Sequence, residues 1–181
     1  MSIADYETKI QLALASLGIT DELVARRRLP LCCEALDLVI AETDATGREY
    51  LLVPEAAQAW WDMKRAAHED GVALEIVSAF RGVDRQIEII RAKLESGMPI
   101  DTVLVASAPP GYSEHHTGCA IDINTPGCDP VEGVFEHTEA FRWLTANAGR
   151  FGFTLSYPRD NPWGFIYEPW HWRYRPPTQA A

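Results

Sequence analysis

Residues 120–124 read Ala-Ile-Asp-Ile-Asn and residues 170–174 read Trp-His-Trp-Arg-Tyr, so side-chain character changes at every step in both. A period of two belongs to β-strands, whose successive side chains point to opposite faces. A chain with two such segments is constrained to a sheet that packs Ile121 and Ile123, and the aromatics of the second segment, against apolar layers. The same alternation sends Asp122 to the polar face of a half-buried strand and puts His171 and Arg173 together on one face of the other. His115 precedes the first strand, and Thr117-Gly118 between them reads as a turn that folds the imidazole back toward Asp122. His115, Asp122 and His171 therefore form a candidate nitrogen and oxygen ligand set. Three such ligands suit a catalytic zinc, which keeps its fourth position for water. Glu168 stands three residues before His171 with Pro169 between them. Proline stiffens the backbone, so this carboxylate is expected on a rigid loop beside the metal, where it can handle protons.

The remaining pattern supplies the scaffold. Ile3, Tyr6, Ile10, Leu14 and Leu17 recur at helical spacing over residues 2–17, with Gly18 as the stop. A short helix follows from Thr20 to about Arg28, before Pro30. Ala35–Glu42 and Glu49–Val53 read as a hairpin across Asp44–Gly47, and Pro54 opens a helix with Trp60, Met63 and Ala67 on its inner face. Trp60 and Trp61 invite a carbohydrate-stacking role, but aromatics at helical spacing are more often core. A strand over Ala73–Ser78 gives way to Arg81, and a helix spans Val83–Glu95 with Val83, Ile87, Ile90 and Leu94 buried. Pro99 to Tyr112 reads as a loop-rich connection around Ala108-Pro109-Pro110-Gly111. After the Asp122 strand come a loop to Val134, a helix capped by Thr138, a strand over Phe153–Tyr157, a turn at Asn161–Gly164 and a frayed tail from Pro176. His68 and His137 read as ordinary surface or capping histidines. The resulting fold class is α+β, a small and mostly antiparallel sheet packed by helices. One domain is expected over 1–181, with a helical extension over 1–30 and the zinc-site core over 71–175.

With these residues in place, the chain resembles the zinc D-alanyl-D-alanine carboxypeptidases and dipeptidases of the VanY-like group, whose fold is shared with the hedgehog N-terminal domain. The resemblance rests on Ser78-Ala79-Phe80-Arg81, on Gly111-Tyr112-Ser113-Glu114-His115, on the His115 to Asp122 spacing, and on Glu168-Pro169-Trp170-His171-Trp172-Arg173-Tyr174. It implies zinc on His115, Asp122 and His171, Glu168 as general base and acid, and Arg81 polarising the scissile carbonyl. It further implies substrate contacts at Gln86 and Ser113, with Tyr112 and Trp170 beside them, although the Ser113 hydroxyl reads equally well as a turn or cap group. His116 departs from the pattern, since many relatives carry Gln there.

The net charge of −10 argues against duplex nucleic acid, whose binding draws on neutralised phosphates. No apolar run approaches a membrane span. Acidic residues stand where a signal peptide needs a basic start, so the chain as written is expected to be cytoplasmic, the alternative being export with a leader trimmed away. Cys32, Cys33, Cys119 and Cys128 lack the paired spacing of a structural zinc site and are expected to be buried reduced thiols. The expected activity is zinc-dependent hydrolysis of a peptide bond near the C-terminus of peptidoglycan stem peptides by a monomer, as a D,D- or L,D-carboxypeptidase. A D-alanyl-D-alanine dipeptidase or a wall endopeptidase is the alternative within that chemistry. A non-catalytic, zinc-stabilised binding domain is the alternative of another class. Glu168 and Arg81 favour catalysis, because neither is needed merely to hold an ion.

Overall fold

A computed structural model describes residues 2–176, which leaves most of the expected frayed tail outside the described residues. In chain order the elements are α1 (Ile3–Ser16), α2 (Asp21–Arg27), β1 (Val39–Thr43), β2 (Glu49–Leu52), α3 (Pro54–Glu69), β3 (Glu75–Ser78), α4 (Val83–Glu95), α5 (Ile100–Ala106), β4 (Ala120–Asn124), α6 (Glu139–Asn147), β5 (Phe153–Leu155) and β6 (His171–Tyr174). The two alternating segments pair with each other as antiparallel strands, and the four-stranded sheet runs β3-β4-β6-β5. Its register sets the site: Asp122 lies opposite His171 on one side and Ser78 on the other. The first two of these carry the candidate ligands, and Ser78 opens the loop to Arg81.

The sheet packs its apolar face on α3 and α6. Trp60, Met63 and Ala67 of α3 are fully buried in one cluster with Ile121, Ile123, Leu144 and Trp172. Trp60 is thus core as expected, whereas Trp61 is half-exposed and donates its indole N–H to the Ala41 carbonyl. A second cluster, separate from the first, joins α1 and α2 to α4 and α5 through Tyr6, Ile10, Leu14, Val24, Val83, Ile90, Val103 and Leu104. Each fully buried aliphatic here contributes about 2–3 kcal/mol. Ser2 and Asp5 start α1 with a reciprocal capping box, and Ile3, counted in the sequence stripe, is left exposed.

Three expectations need correction. Residues 99–112 are not all loop: α5 forms there because Val103 and Leu104 find a buried seat in the helical cluster, with Pro99 at its N-cap and Pro109 and Pro110 beyond its end. The first hairpin strand begins at Val39 rather than Ala35, since the Ala35 N–H is drawn to the His116 carbonyl instead of a strand partner. All five residues of β4 are buried, so the face bearing Asp122 is an enclosed ionic layer and not a solvated one. The four cysteines are free, as expected, but of them only Cys32 is buried: Cys33 is exposed and Cys119 and Cys128 are half-buried. Among the described residues no helix is long and apolar enough to cross a membrane.

Candidate active site

Residues Glu114–Thr117 form a single 3₁₀ turn that lifts His115 over β4. Gly118 ends the turn at φ 64°, where a Cβ would come within 2.9 Å of Leu38 and 3.0 Å of Val53. Only glycine fits that corner without strain. The turn, β4 and β6 bring one ligand atom each from His115, Asp122 and His171 within 4.8 Å of one another, all three side chains being buried. The two imidazole rings meet edge to face with centroids 4.9 Å apart.

Hydrogen bonds on the far side of each ring decide what faces inward. His115 Nδ1 lies 2.7 Å from the Ala79 carbonyl. A carbonyl only accepts, so Nδ1 carries the proton. Burial lowers the His115 pKa and keeps the ring neutral despite the nearby Asp122. Its Nε2 is then a bare lone pair, 3.3 Å from Asp122 Oδ2. Although that distance suits an ion pair, two lone pairs cannot bond, and the contact makes chemical sense around a shared cation. His171 is fixed the same way. Its Nε2 lies 3.0 Å from Glu114 Oε2, and Nδ1 lies 3.0 Å from Asp122 Oδ1. Against the opposition of burial, hydrogen bonds from His171 and Ser156 and the charge of Arg173 hold the Glu114 pKa at about 2. Burial likewise opposes the ionised form of Asp122, but the two imidazoles bring its pKa far below the usual range. Burial also disfavours a charged His171, yet its bonds to Asp122 and Glu114 push its pKa up. The two carboxylates around this ring thus favour positive charge between them, which a divalent cation would supply. The donor set thus fits a metal: two inward nitrogens and an ionised carboxylate, each imidazole anchored from behind as metal-binding histidines usually are.

The site opens into a cleft of about 280 Å³ lined by residues including Arg81, Gln86, Ser113, Glu168 and Trp170. Glu168 is held by its backbone, with its N–H on the Tyr157 carbonyl and its own carbonyl accepting from the His171 N–H. Its Oε2 is 3.9 Å from His171 Nδ1. Burial raises its pKa to about 7, with Asp122 adding to the effect and His171, Arg81 and Lys93 opposing it. A carboxyl group poised there can both take and return a proton near neutrality. Arg81 is placed from two sides: its N–H donates to the His115 carbonyl, and its own carbonyl accepts from His116 Nδ1 at 2.5 Å. Its buried Nε has no protein partner.

Of the expected substrate contacts, Gln86, Ser113 and Trp170 line the cleft. The Ser113 hydroxyl caps nothing, which removes its reading as a helix cap. Tyr112 is a correction. It does not line the cleft but packs with Ile10 and Leu31, where the helical cluster offers its ring an apolar seat. His116, the departure from the family pattern, is fully buried and uses both nitrogens, accepting from the Gly111 N–H and donating to Arg81. Burial lowers its pKa to about 4, which keeps it neutral in that role. His68 and His137 are exposed as expected.

Sequence reasoning missed Glu114, Tyr157 and Lys93. Glu114 joins His171 and Arg173, with Arg173 Nη1 at 2.8 Å and the Ser156 hydroxyl at 2.5 Å. Its only sequence signal was adjacency to His115. Tyr157 lies with its ring centroid 4.7 Å from that of His171, and Lys93 lines the cleft from α4.

The family profile described as VanY, D-alanyl-D-alanine carboxypeptidase, matches residues 49–177. The D-alanyl-D-alanine carboxypeptidase of Enterococcus faecalis is 36% identical over 123 residues, covering 62% of this chain and 44% of its own length. The chain spans about half the length of the curated relatives it matches. Among solved structures, LdcB, an LD-carboxypeptidase, superposes with a TM-score of 0.70 at 35% identity, covering 78% of this chain and 69% of its own. A variant of the vancomycin-resistance D,D-pentapeptidase VanY, solved in complex with Zn(II), superposes with a TM-score of 0.63 at 30% identity, covering 82% of this chain and 88% of its own.

Proposed function

The chain belongs to the VanY family of D-alanyl-D-alanine carboxypeptidases, and from that premise we propose that it is a zinc peptidase that hydrolyses a peptide bond near the C-terminus of peptidoglycan-type stem peptides. The observation that carries the reading is the pair of outward anchors, Ala79 behind His115 and Glu114 behind His171, which leave two nitrogens and Asp122 converging on one point of the cleft. The Zn(II) complex of the VanY relative supports zinc as the ion.

His115, Asp122 and His171 would hold the zinc, which when bound acidifies a water molecule and polarises a carbonyl. Glu168 accepts the proton of the attacking water and then delivers it to the leaving amine, so the same carboxyl group serves both halves of the reaction. Burial raises its pKa above the usual carboxylate range, which brings it toward that exchange. Arg81 offers a permanently charged donor toward the scissile carbonyl oxygen as negative charge builds there. His116 keeps that donor in position through the Arg81 carbonyl.

The test is incubation of the zinc-loaded protein with D-alanyl-D-alanine, a stem pentapeptide and a stem tetrapeptide, with products identified by mass. Loss of one residue from the pentapeptide marks a D,D-carboxypeptidase, and loss of one from the tetrapeptide marks an L,D-carboxypeptidase. Cleavage of the free dipeptide marks a dipeptidase. Intact peptides in all three, from protein shown to hold zinc, would overturn the reading.

A further inference from the structure

The sequence contains three lysines, and the surroundings of one differ from those of the others. Lys9 pairs with Glu34 and Asp84, and Lys64 pairs with Glu42. Lys93 sits on the face of α4 that also carries Gln86 and Ile89, residues spaced three and four apart that together line the catalytic cleft. Its Nζ lies 2.8 Å from the Ser107 hydroxyl, and among the described residues no carboxylate pairs with it. Burial lowers its pKa, the charge of Arg81 adds to that effect, and Glu168 counters it, so the ammonium lies within electrostatic reach of both groups that act on the scissile bond.

A half-buried cation with no carboxylate at contact distance is costly to maintain, and it favours an anion that enters the same space. A stem peptide has a negative charge at a fixed distance from its last peptide bond, namely its terminal carboxylate. An extended residue spans about 3.3–3.6 Å, and a lysine side chain on an adjoining wall can bridge that interval. Ser107, already hydrogen-bonded to Nζ and itself buried, offers a hydroxyl for the second carboxylate oxygen.

We propose that Lys93, supported by Ser107, binds the free C-terminal carboxylate of the peptide and so makes this site an exopeptidase that counts one residue back from the chain end. This assignment rests on the peptidase reading above. It adds a specificity-determining residue that the metal and proton chemistry do not require.

The test compares a stem pentapeptide with its C-terminal amide, and a stem tetrapeptide with its amide, on wild type, Lys93→Met and Lys93→Arg. Kinetics are read as kcat and KM separately, alongside zinc content and circular dichroism. Binding of the same peptides to Glu168→Gln protein, with and without Lys93→Met, is measured by calorimetry. Losing a charge-assisted hydrogen bond should weaken binding by about 10- to 100-fold. Wild type should prefer the free acid by about that factor, chiefly in KM. Lys93→Met should bring acid and amide together, and Lys93→Arg should restore part of the difference. Equal handling of acid and amide by wild type, or an undiminished preference in Lys93→Met, overturns the proposal. Should Lys93→Met fail to fold, the wild-type comparison and Lys93→Gln decide the same point. If wild type hydrolyses none of the peptides, the peptidase reading fails, while the calorimetric arm still reports whether Lys93 binds the carboxylate.

Discussion

The floor and the wall of the cleft are built on opposite principles. On the floor, where β4 meets β6, the two carboxylates are each held by several protein groups: Glu114 takes His171, Arg173 and Ser156, and Asp122 faces both imidazoles, while Arg173 Nε and Asn124 Oδ1 at its margin are buried without partners. On the wall, formed by α4 and the loop before it, Arg81 Nε and Gln86 Oε1 are buried without partners and Lys93 faces only a hydroxyl. Carboxylates and imidazoles held from several sides have a fixed geometry, which a small ion with defined bond lengths demands. Unspent hydrogen-bonding capacity suits a ligand that arrives, reacts and departs. Disturbing the floor should therefore change metal binding, and disturbing the wall should change turnover and substrate choice with the metal in place.

The sharpest break should come from Glu168, which borders the floor but serves the substrate. Glu168→Gln is expected to reduce kcat by about 10²–10⁴ while zinc stoichiometry, measured by elemental analysis, stays at the wild-type value. Loss of zinc in that variant would move Glu168 into the ligand set. Arg81→Ala should follow at about 10²–10³ in kcat, again with zinc retained, as expected for an oxyanion donor. Glu114→Gln tests the floor from behind. It should weaken zinc affinity by about 10- to 100-fold in a competition titration, with kcat recovering at saturating zinc. An unchanged affinity would mean that His171 is oriented by packing alone.

The pH profile reports on Glu168 from another side. Glu168 must be ionised to accept a proton, and its pKa stands at about 7 without a cation nearby. A bound cation favours ionisation, so the acid limb of kcat/KM should lie at or below that value, with activity falling about tenfold per pH unit under it. A limb that persists in Glu168→Gln would belong to another group. The smallest effect on chemistry is expected from the helical cluster. Leu14→Ala, within a fully buried seat on α1, should cost about 2–5 kcal/mol in denaturant unfolding yet leave kcat/KM of the folded protein unchanged.

The contrast between floor and wall also explains what the sequence disclosed. His115, Asp122 and His171 could be found because strand alternation and a glycine turn are local signals, and α4 could be bounded at Val83 and Glu95 because a helix announces its own ends. Glu114 could not, since its meaning comes from a residue 57 positions away. Lys93 falls beside the buried stripe of α4, where a helical pattern cannot separate a cleft-facing lysine from a solvated one. Helix α5 was hidden by the prolines that follow it, and Tyr112 was drawn into the site by its neighbours Ser113 and His115, although its ring packs on the helical cluster.

His115 Nε2, Asp122 and His171 Nδ1 are expected to share one ion. Diffraction from zinc-loaded crystals, recorded on both sides of the zinc absorption edge, tests it directly. A single anomalous peak is expected about 2.0–2.2 Å from each of those three groups, with His171 Nε2 still donating to Glu114. A peak elsewhere, or a His171 ring turned to offer Nε2 to the ion, would contradict it.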